Sequence, residues 1–171
     1  MKNHRTETGI WVIFYKKGSG KARVSYADAV EEALCFGWID SRIRPIDGEK
    51  YKQFFSVRNP KSGWSKLNKD RVEKLTAQGL MTEAGFEKIE VAKQNGSWTT
   101  LDDVENLVPL PELQAFFKTN PEAETYFRSL SKTSQKFFLY RINNVKSPGL
   151  RKQRIEEAID HLKSYIVNRN S

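Results

Sequence analysis

The first part of the chain contains an apolar segment of strand type, followed by a helix with one apolar face. Every position from Ile10 to Tyr15 is a β-forming residue, as in a strand covered on both faces, which predicts a strand over residues 9–17. Ser25 is a preferred helix N-cap residue, and Asp28 completes a pattern like a capping box. The apolar residues that follow fall on one helical face, so we predict a helix that ends near Gly37.

A β-hairpin is predicted between residues 41 and 57. Asp47-Gly48 is a dipeptide that strongly favours the tight turn of a hairpin, and β-forming residues lie on both sides of it. We therefore expect two antiparallel strands, over Ser41–Ile46 and Tyr51–Val57.

Two helices are predicted to follow the hairpin. Ser65 is placed to cap a helix that runs to about Gln78, with Gly79 as its stop. Thr82 is placed to cap another, which ends at Asn95-Gly96. Both helices belong to the same N-terminal part as the predicted strands.

Proline residues divide the chain into two parts of different character. Pro109 and Pro111 interrupt the helical pattern, and beyond them Asn120-Pro121 and Ser147-Pro148 each place a proline at the first position of a helix. We therefore predict an α+β fold with two domains. Residues 1–108 form a small, mostly antiparallel sheet packed with helices, and residues 109–171 form a helical C-terminal module packed on it.

The chain is basic, and its charge is unevenly distributed. The 171 residues carry a net charge of +8. Residues 1–75 hold 16 Lys/Arg against 9 Asp/Glu, residues 76–130 hold 4 against 9, and residues 131–171 hold 9 against 3. The basic regions either compensate the acidic middle segment or present a basic face to an anionic partner, and of the two the sequence favours compensation.

The composition argues against a membrane span, a secretory signal and a metal site. No apolar run approaches the length of about 18 residues typical of a transmembrane helix, and the N-terminus lacks the apolar core of a signal peptide. The single cysteine, Cys35, suits a reducing compartment, so we expect a cytoplasmic protein. Two histidines and one cysteine without ligand-like spacing predict neither a metal nor a cofactor. Cys35 itself is expected to be buried and unreactive.

Two tryptophan-containing segments hold the strongest candidates for a binding site. Tryptophan offers a flat surface, arginine a planar fork that binds anions, and a serine before a helix a hydroxyl beside free backbone N–H groups. This mixture predicts a pocket for a small anionic ligand, formed by Trp38, Asp40, Arg42, Arg58, Ser62, Trp64, Ser65 and Asn68. The alternative, which aromatic residues generally favour, is that both tryptophans are core anchors, Ser65 is only a cap and Arg58 pairs with a carboxylate.

A second basic candidate lies in the first turn of the last helix, where Arg151, Lys152 and Arg154 follow Pro148. Cations at this end oppose the helix dipole, and Glu156 and Glu157 are placed to offset part of that cost. Two interpretations stay open. The patch recognises an anionic partner, or it packs against the acidic middle segment.

The chain resembles the YdeI/OmpD-associated family, also described as bacteriocin-protection proteins. The segments that carry the resemblance are Trp11–Lys17, Ala29–Asp40, Trp64–Asn68, Gly85, Ala92-Lys93, Gly96-Ser97-Trp98, Arg151 and Arg154-Ile155. The resemblance implies a bacterial cytoplasmic α+β protein with a helical C-terminal module, in a family of which some members are linked to tolerance of bacteriocins or cationic antimicrobial peptides. It brings no reaction and no catalytic residues.

Together these features favour a noncatalytic binding protein of the stress- or bacteriocin-protection type, with a pocket for a small anionic ligand. One alternative is a nucleic-acid-associated basic protein, although the chain has no helix-turn-helix, RRM or zinc-finger pattern. The other is an uncharacterised small-molecule enzyme with a tryptophan-lined cleft, in which Asp40 would be the acid/base. No sequence feature specifies the oligomeric state.

Overall fold

The computed structural model describes residues 3–145 and 147–169, and side chains as far as residue 164. The chain divides into two compact units, Met1–Thr100 and Leu101–Ser171. We call them the N-terminal unit and the C-terminal unit.

The N-terminal unit combines one small sheet with three helices. The elements are β1 (Gly9–Tyr15), α1 (Tyr26–Cys35), β2 (Trp38–Pro45), β3 (Lys50–Val57), α2 (Lys66–Ala77) and α3 (Glu83–Gln94). The sheet has the order β1-β3-β2, and both pairs of neighbours are antiparallel. This arrangement confirms the predicted α+β class and the predicted hairpin.

The N-caps predicted from the sequence are found in two of the three helices. The Ser25 hydroxyl accepts a hydrogen bond from the Asp28 amide at 3.0 Å, and Ser65 accepts one from the Asn68 amide at 3.4 Å. Thr82 occupies the N-cap position of α3, but its hydroxyl donates to the carbonyl of Cys35 at 2.6 Å. This cap therefore ties α3 to the end of α1 and leaves its own helix without a side-chain cap.

The two faces of the sheet have different surroundings. Phe14 and Phe55 point to the inner face and belong to the core together with residues of all three helices. The opposite, outer face contains Trp11 and Ile13, and Ile13 is 53% exposed. The prediction that β1 is covered on both faces is therefore wrong. The apolar run predicts burial on both faces, but the side chains that alternate onto the outer face are open to solvent.

The C-terminal unit is helical. Its core contains Val104, Leu113, Phe127, Leu139 and Leu162, all of them buried. The elements are α4 (Asp102–Glu105), α5 (Pro111–Thr119), α6 (Pro121–Ser129), α7 (Lys132–Asn143) and α8 (Pro148–Arg169). The sequence predicts a domain boundary at 108/109, where prolines interrupt the pattern, whereas this unit begins at Leu101 and includes α4, whose Val104 is buried in its core.

The last helix has the length of a membrane span but not its character. Helix α8 contains 22 residues, and about 20 are enough to cross a bilayer. Its first turns carry the charged residues Arg151, Lys152 and Arg154. Within the described part of the chain, no helix is both long and apolar enough to cross a membrane.

Candidate functional site

The tryptophans of the predicted pocket are in the core. Trp38 is 1% exposed and Trp64 is 2% exposed, and both belong to the hydrophobic cluster of the N-terminal unit. The indole N–H of Trp38 donates to the carbonyl of His4 at 3.3 Å. Their burial agrees with the core-anchor interpretation, so the pocket hypothesis depends on the polar residues around them.

Arg58 is the most unusual of these polar residues, because it is only 4% exposed. Its guanidinium carbon lies 3.7 Å from the centroid of the Trp64 ring, and its Nη2 donates to the carbonyl of Gly63 at 2.6 Å. Nε and Nη1 are buried and have no hydrogen-bond partner. Burial lowers the pKa of Arg58 to about 10, and the nearby charge of Asp40 offsets part of this effect. The group remains a cation at neutral pH.

Asp40 is held as a hydrogen-bond acceptor. Its Oδ2 accepts from the hydroxyl of Tyr26 at 2.6 Å and from the side-chain amide of Gln53 at 3.1 Å. Burial raises the pKa of Tyr26 to about 12, and the bond to Asp40 adds to this rise because it favours the protonated phenol. Both donors fix the carboxylate, which gives Asp40 a structural role between α1 and the sheet.

The other predicted residues of this region shape the turn before α2. The Ser62 hydroxyl donates to the carbonyl of Asn59 at 2.7 Å. Ser65 is the N-cap of α2, and the Oδ1 of Asn68 accepts from Arg71 at 3.0 Å. A cluster of Asp40, Arg58 and Ser62 would favour the enzyme alternative, and the contacts of these three side chains give it no support.

Arg42 lies on the outer face of the sheet, away from the core and from Asp40. The sequence analysis places Arg42 in the predicted pocket with Asp40, and residues two apart in a regular strand would share a face. The pairing of β2 with β3 shifts between Asp40 and Ile43, where an extra residue forms a bulge. The guanidinium of Arg42 then lies 4.9 Å from the ring centroid of Phe54, on the outer face. The bulge therefore separates Arg42 from the other predicted site residues.

The outer face contains aromatic rings and cations of which the sequence analysis named only Arg42 as a site residue. We call the group formed by Trp11, Arg42, Arg44, Lys52 and Phe54 the aromatic–basic face. Arg44 lies 5.5 Å and Lys52 4.8 Å from the ring centroid of Trp11. The five residues come from all three strands. In the sequence, the one indication of this face is the apolar run of β1, which contains more apolar side chains than a strand covered on one face needs.

The cations of the aromatic–basic face are free to bind an anion. Arg42 and Arg44 are exposed, Lys52 is half-buried, and among the residues that the structure describes none of the three has a carboxylate partner. Their contacts with the rings stabilise the cations by about 0.5–1 kcal/mol each at exposed sites, but they do not neutralise the positive charge. This face therefore has uncompensated positive charge on an open surface.

Cys35 shows the opposite situation, because it is a buried thiol with little access to solvent. It is 4% exposed, and burial, with Glu32 and Glu31 adding to the effect, raises the pKa of its thiol. Only the thiolate is a nucleophile. We expect slow labelling by a thiol reagent at neutral pH in the folded protein and rapid labelling in denaturant. Fast reaction of the native protein would mean an activated thiolate and would contradict this assignment.

The predicted basic patch of α8 is largely paired within its own helix. Lys152 lies 4.0 Å from Glu156, and Arg154 donates to Glu157 at 2.7 Å. The bond from Arg154 lowers the pKa of Glu157, and the side-chain amide of Gln153 and the charge of Arg141 add to this effect. Both glutamates therefore offset the cations, which leaves less free charge here than on the aromatic–basic face.

A cavity of about 680 Å³ lies between α6, α7 and α8 in the C-terminal unit. Its walls are mostly apolar, with Phe137 and Phe138 among them, and Arg141 and Arg154 flank Glu157 at one side.

A metal ion has no evident place here or elsewhere in the described residues, which contain no group of three or more suitably placed His, Cys, Asp or Glu side chains.

Comparison with protein families divides the chain in a similar way. Residues 1–88 match the family described as Domain of unknown function (DUF8412), and residues 108–165 match the family described as Bacteriocin-protection, YdeI or OmpD-Associated. No curated protein and no solved structure matches the chain. The resemblance predicted from the sequence is thus confirmed over residues 108–165, while its segments up to Asn68 lie within the other match. Residues 108–165 are thus similar to the family described as Bacteriocin-protection, YdeI or OmpD-Associated, and the chain belongs to the family described as Domain of unknown function (DUF8412), whose model matches residues 1–88.

Proposed function

We propose that this protein is a noncatalytic binding protein of the bacterial cytoplasm, which holds an anionic partner on its aromatic–basic face in a stress- or bacteriocin-protection role. The observation that carries the proposal is the set of three cations, Arg42, Arg44 and Lys52, on an open sheet face. None of them has a carboxylate partner among the described residues. The match to bacteriocin-protection proteins supports the protective role.

The chemistry of the face supports binding without catalysis. An arginine guanidinium does not act as a general base near neutral pH, and aromatic rings are not nucleophiles. These groups therefore supply positive charge and a flat surface, but no reactive atom. The two other candidates for a reactive group, Cys35 and Asp40, also favour binding without catalysis. The thiol of Cys35 is buried, and the carboxylate of Asp40 is fixed by two donors.

Heparin chromatography tests the proposal with two matched variants. The triple variant Arg42→Gln, Arg44→Gln and Lys52→Gln removes three charges from the aromatic–basic face and is expected to elute at clearly lower salt than the wild type. Each lost contact between a cation and an anionic group of the ligand reduces the salt dependence of binding. The control variant, Arg151→Gln, Lys152→Gln and Arg154→Gln, has the same change in net charge and is expected to elute close to the wild type.

Two results would contradict the proposal. Equal shifts of both triple variants would mean that net charge alone governs retention. A larger shift of the control would place the anionic partner on the predicted basic patch of α8. Circular dichroism on each variant checks that the fold is retained.

A further inference from the structure

The aromatic–basic face has both components with which proteins hold single-stranded nucleic acid. Such proteins combine aromatic rings, on which the bases stack, with cations that contact the phosphates. Here Trp11 and Phe54 supply the rings, and three cations surround them. We propose that this face binds single-stranded DNA or RNA. The inference rests on the proposed anion-binding function and names its ligand.

The two rings are held in place by the sheet. Trp11 and Phe54 are direct partners in the register of β1 and β3, and their centroids lie 5.1 Å apart at an angle of 53°. The ring of Phe54 occupies the space that a Cβ atom at Gly9 would need, so it lies along the sheet and not upright from it. Both side chains are half-buried, which leaves part of each ring open while its position is fixed.

The three cations lie over the rings. Arg42, Arg44 and Lys52 all lie within 6 Å of the Trp11 centroid. An exposed cation–π contact is weaker than the stacking of a base on an aromatic ring. The three side chains are long and attached to neighbouring strands, so they can turn towards phosphates when bases take their places over the rings. The exchange gains both stacking and charge pairing.

The geometry favours a single strand over a duplex or a membrane. The bases of a duplex are stacked on one another, so a flat sheet face reaches only its phosphates. A membrane surface offers anionic headgroups to the cations. Aromatic rings that insert below those headgroups, however, must protrude beyond the cations. On this face the cations lie over the rings. Unpaired bases are the group that fits the rings and the charges together.

Fluorescence anisotropy with the full chain tests the inference. The probes are a labelled single-stranded oligothymidine, a duplex of equal length and vesicles of phosphatidylglycerol and phosphatidylcholine. The double variant Trp11→Leu and Phe54→Leu is expected to lose about tenfold in single-strand affinity for each ring. Its retention on heparin is expected to match the wild type, because every cation is kept.

Matched variants separate stacking from loss of structure. Phe86→Leu removes a ring that is 42% exposed on α3 and is expected to leave single-strand binding unchanged. Trp11→Phe with Phe54→Tyr keeps both rings and is expected to retain most of the affinity. Phe54→Leu alone keeps all four tryptophans, so quenching of tryptophan fluorescence by the oligonucleotide remains measurable if the double variant does not fold.

Each outcome decides a different statement. If the protein binds heparin through the three cations but the ring variants bind the single strand like the wild type, the stacking inference is wrong and the proposed function stands. If the protein binds no polyanion at low salt, both are wrong. Tighter, ring-dependent binding to the vesicles than to the oligonucleotide would replace nucleic acid by a membrane surface.

Discussion

Replacement of Arg58 by alanine is expected to lower the free energy of unfolding of the N-terminal unit by about 3 kcal/mol, the range of buried large-to-small substitutions. The side chain is 4% exposed, its guanidinium stacks on Trp64 at 3.7 Å, and it provides a donor to the carbonyl of Gly63. Alanine removes all three contributions and leaves a cavity against the indole ring. All four tryptophans lie in residues 1–100, so denaturant unfolding followed by their fluorescence reports on this unit.

Arg58→Met is the matched control for this result. Methionine fills most of the space but carries no donors, and it also removes the two buried N–H groups that lack partners. An unpaired buried donor costs about 1–3 kcal/mol, but both substitutions remove these groups, so the two variants differ mainly in packing. The methionine variant is expected to be the more stable of the two, because it leaves the smaller cavity beside Trp64. If the alanine variant were as stable as the wild type, Arg58 would not be part of the core.

The same two N–H groups keep the sequence-based pocket hypothesis testable. An anion that binds only the native state stabilises it by about 2.7 kcal/mol at a hundredfold excess over its Kd. Sulfate stabilises folded proteins more than chloride does even without a binding site, so wild type and Arg58→Met are compared in both salts at equal ionic strength. If Nε and Nη1 of Arg58 bind sulfate, the extra stabilisation by sulfate is larger in the wild type than in Arg58→Met. Identical responses of both proteins would mean that no anion binds at Arg58.

Gly85→Ala is expected to destabilise the N-terminal unit by about 3 kcal/mol, although alanine is the better helix former by about 1 kcal/mol. A Cβ atom at this position would lie 2.5 Å from the carbonyl oxygen of Cys35 and 3.0 Å from its carbonyl carbon. These are backbone atoms at the end of α1, so α1 and α3 must move apart. The same carbonyl accepts two hydrogen bonds from Thr82, which such a movement would break.

Gly48→Ala is the control for this substitution. Gly48 lies in the hairpin turn, and a Cβ atom there has no heavy atom within 4 Å. Its stability is expected to stay within about 0.5 kcal/mol of the wild type, as for most surface substitutions. Both variants keep the four tryptophans, so their unfolding curves are directly comparable. A Gly85→Ala protein as stable as the control would contradict the close approach of α1 and α3.

The features that the sequence determined are local ones. The serine caps at Ser25 and Ser65 and the hairpin around Asp47-Gly48 are present as predicted. A cap or a tight turn depends on atoms only a few residues apart, so the residue types alone specify it. The α+β class follows from the same signals.

The composition of the candidate site was decided by tertiary contacts. The bulge between Asp40 and Ile43 moves Arg42 to the outer face, and the sequence has no turn residue that signals it. Thr82 bonds to Cys35, 47 residues away in the chain, in preference to its own helix. Which face of the sheet remains open depends on where the helices pack, and that is set by the total fit of the core, not by any single strand. The sequence alone therefore specified the elements, and only their packing brought Trp11, Phe54 and the three cations together.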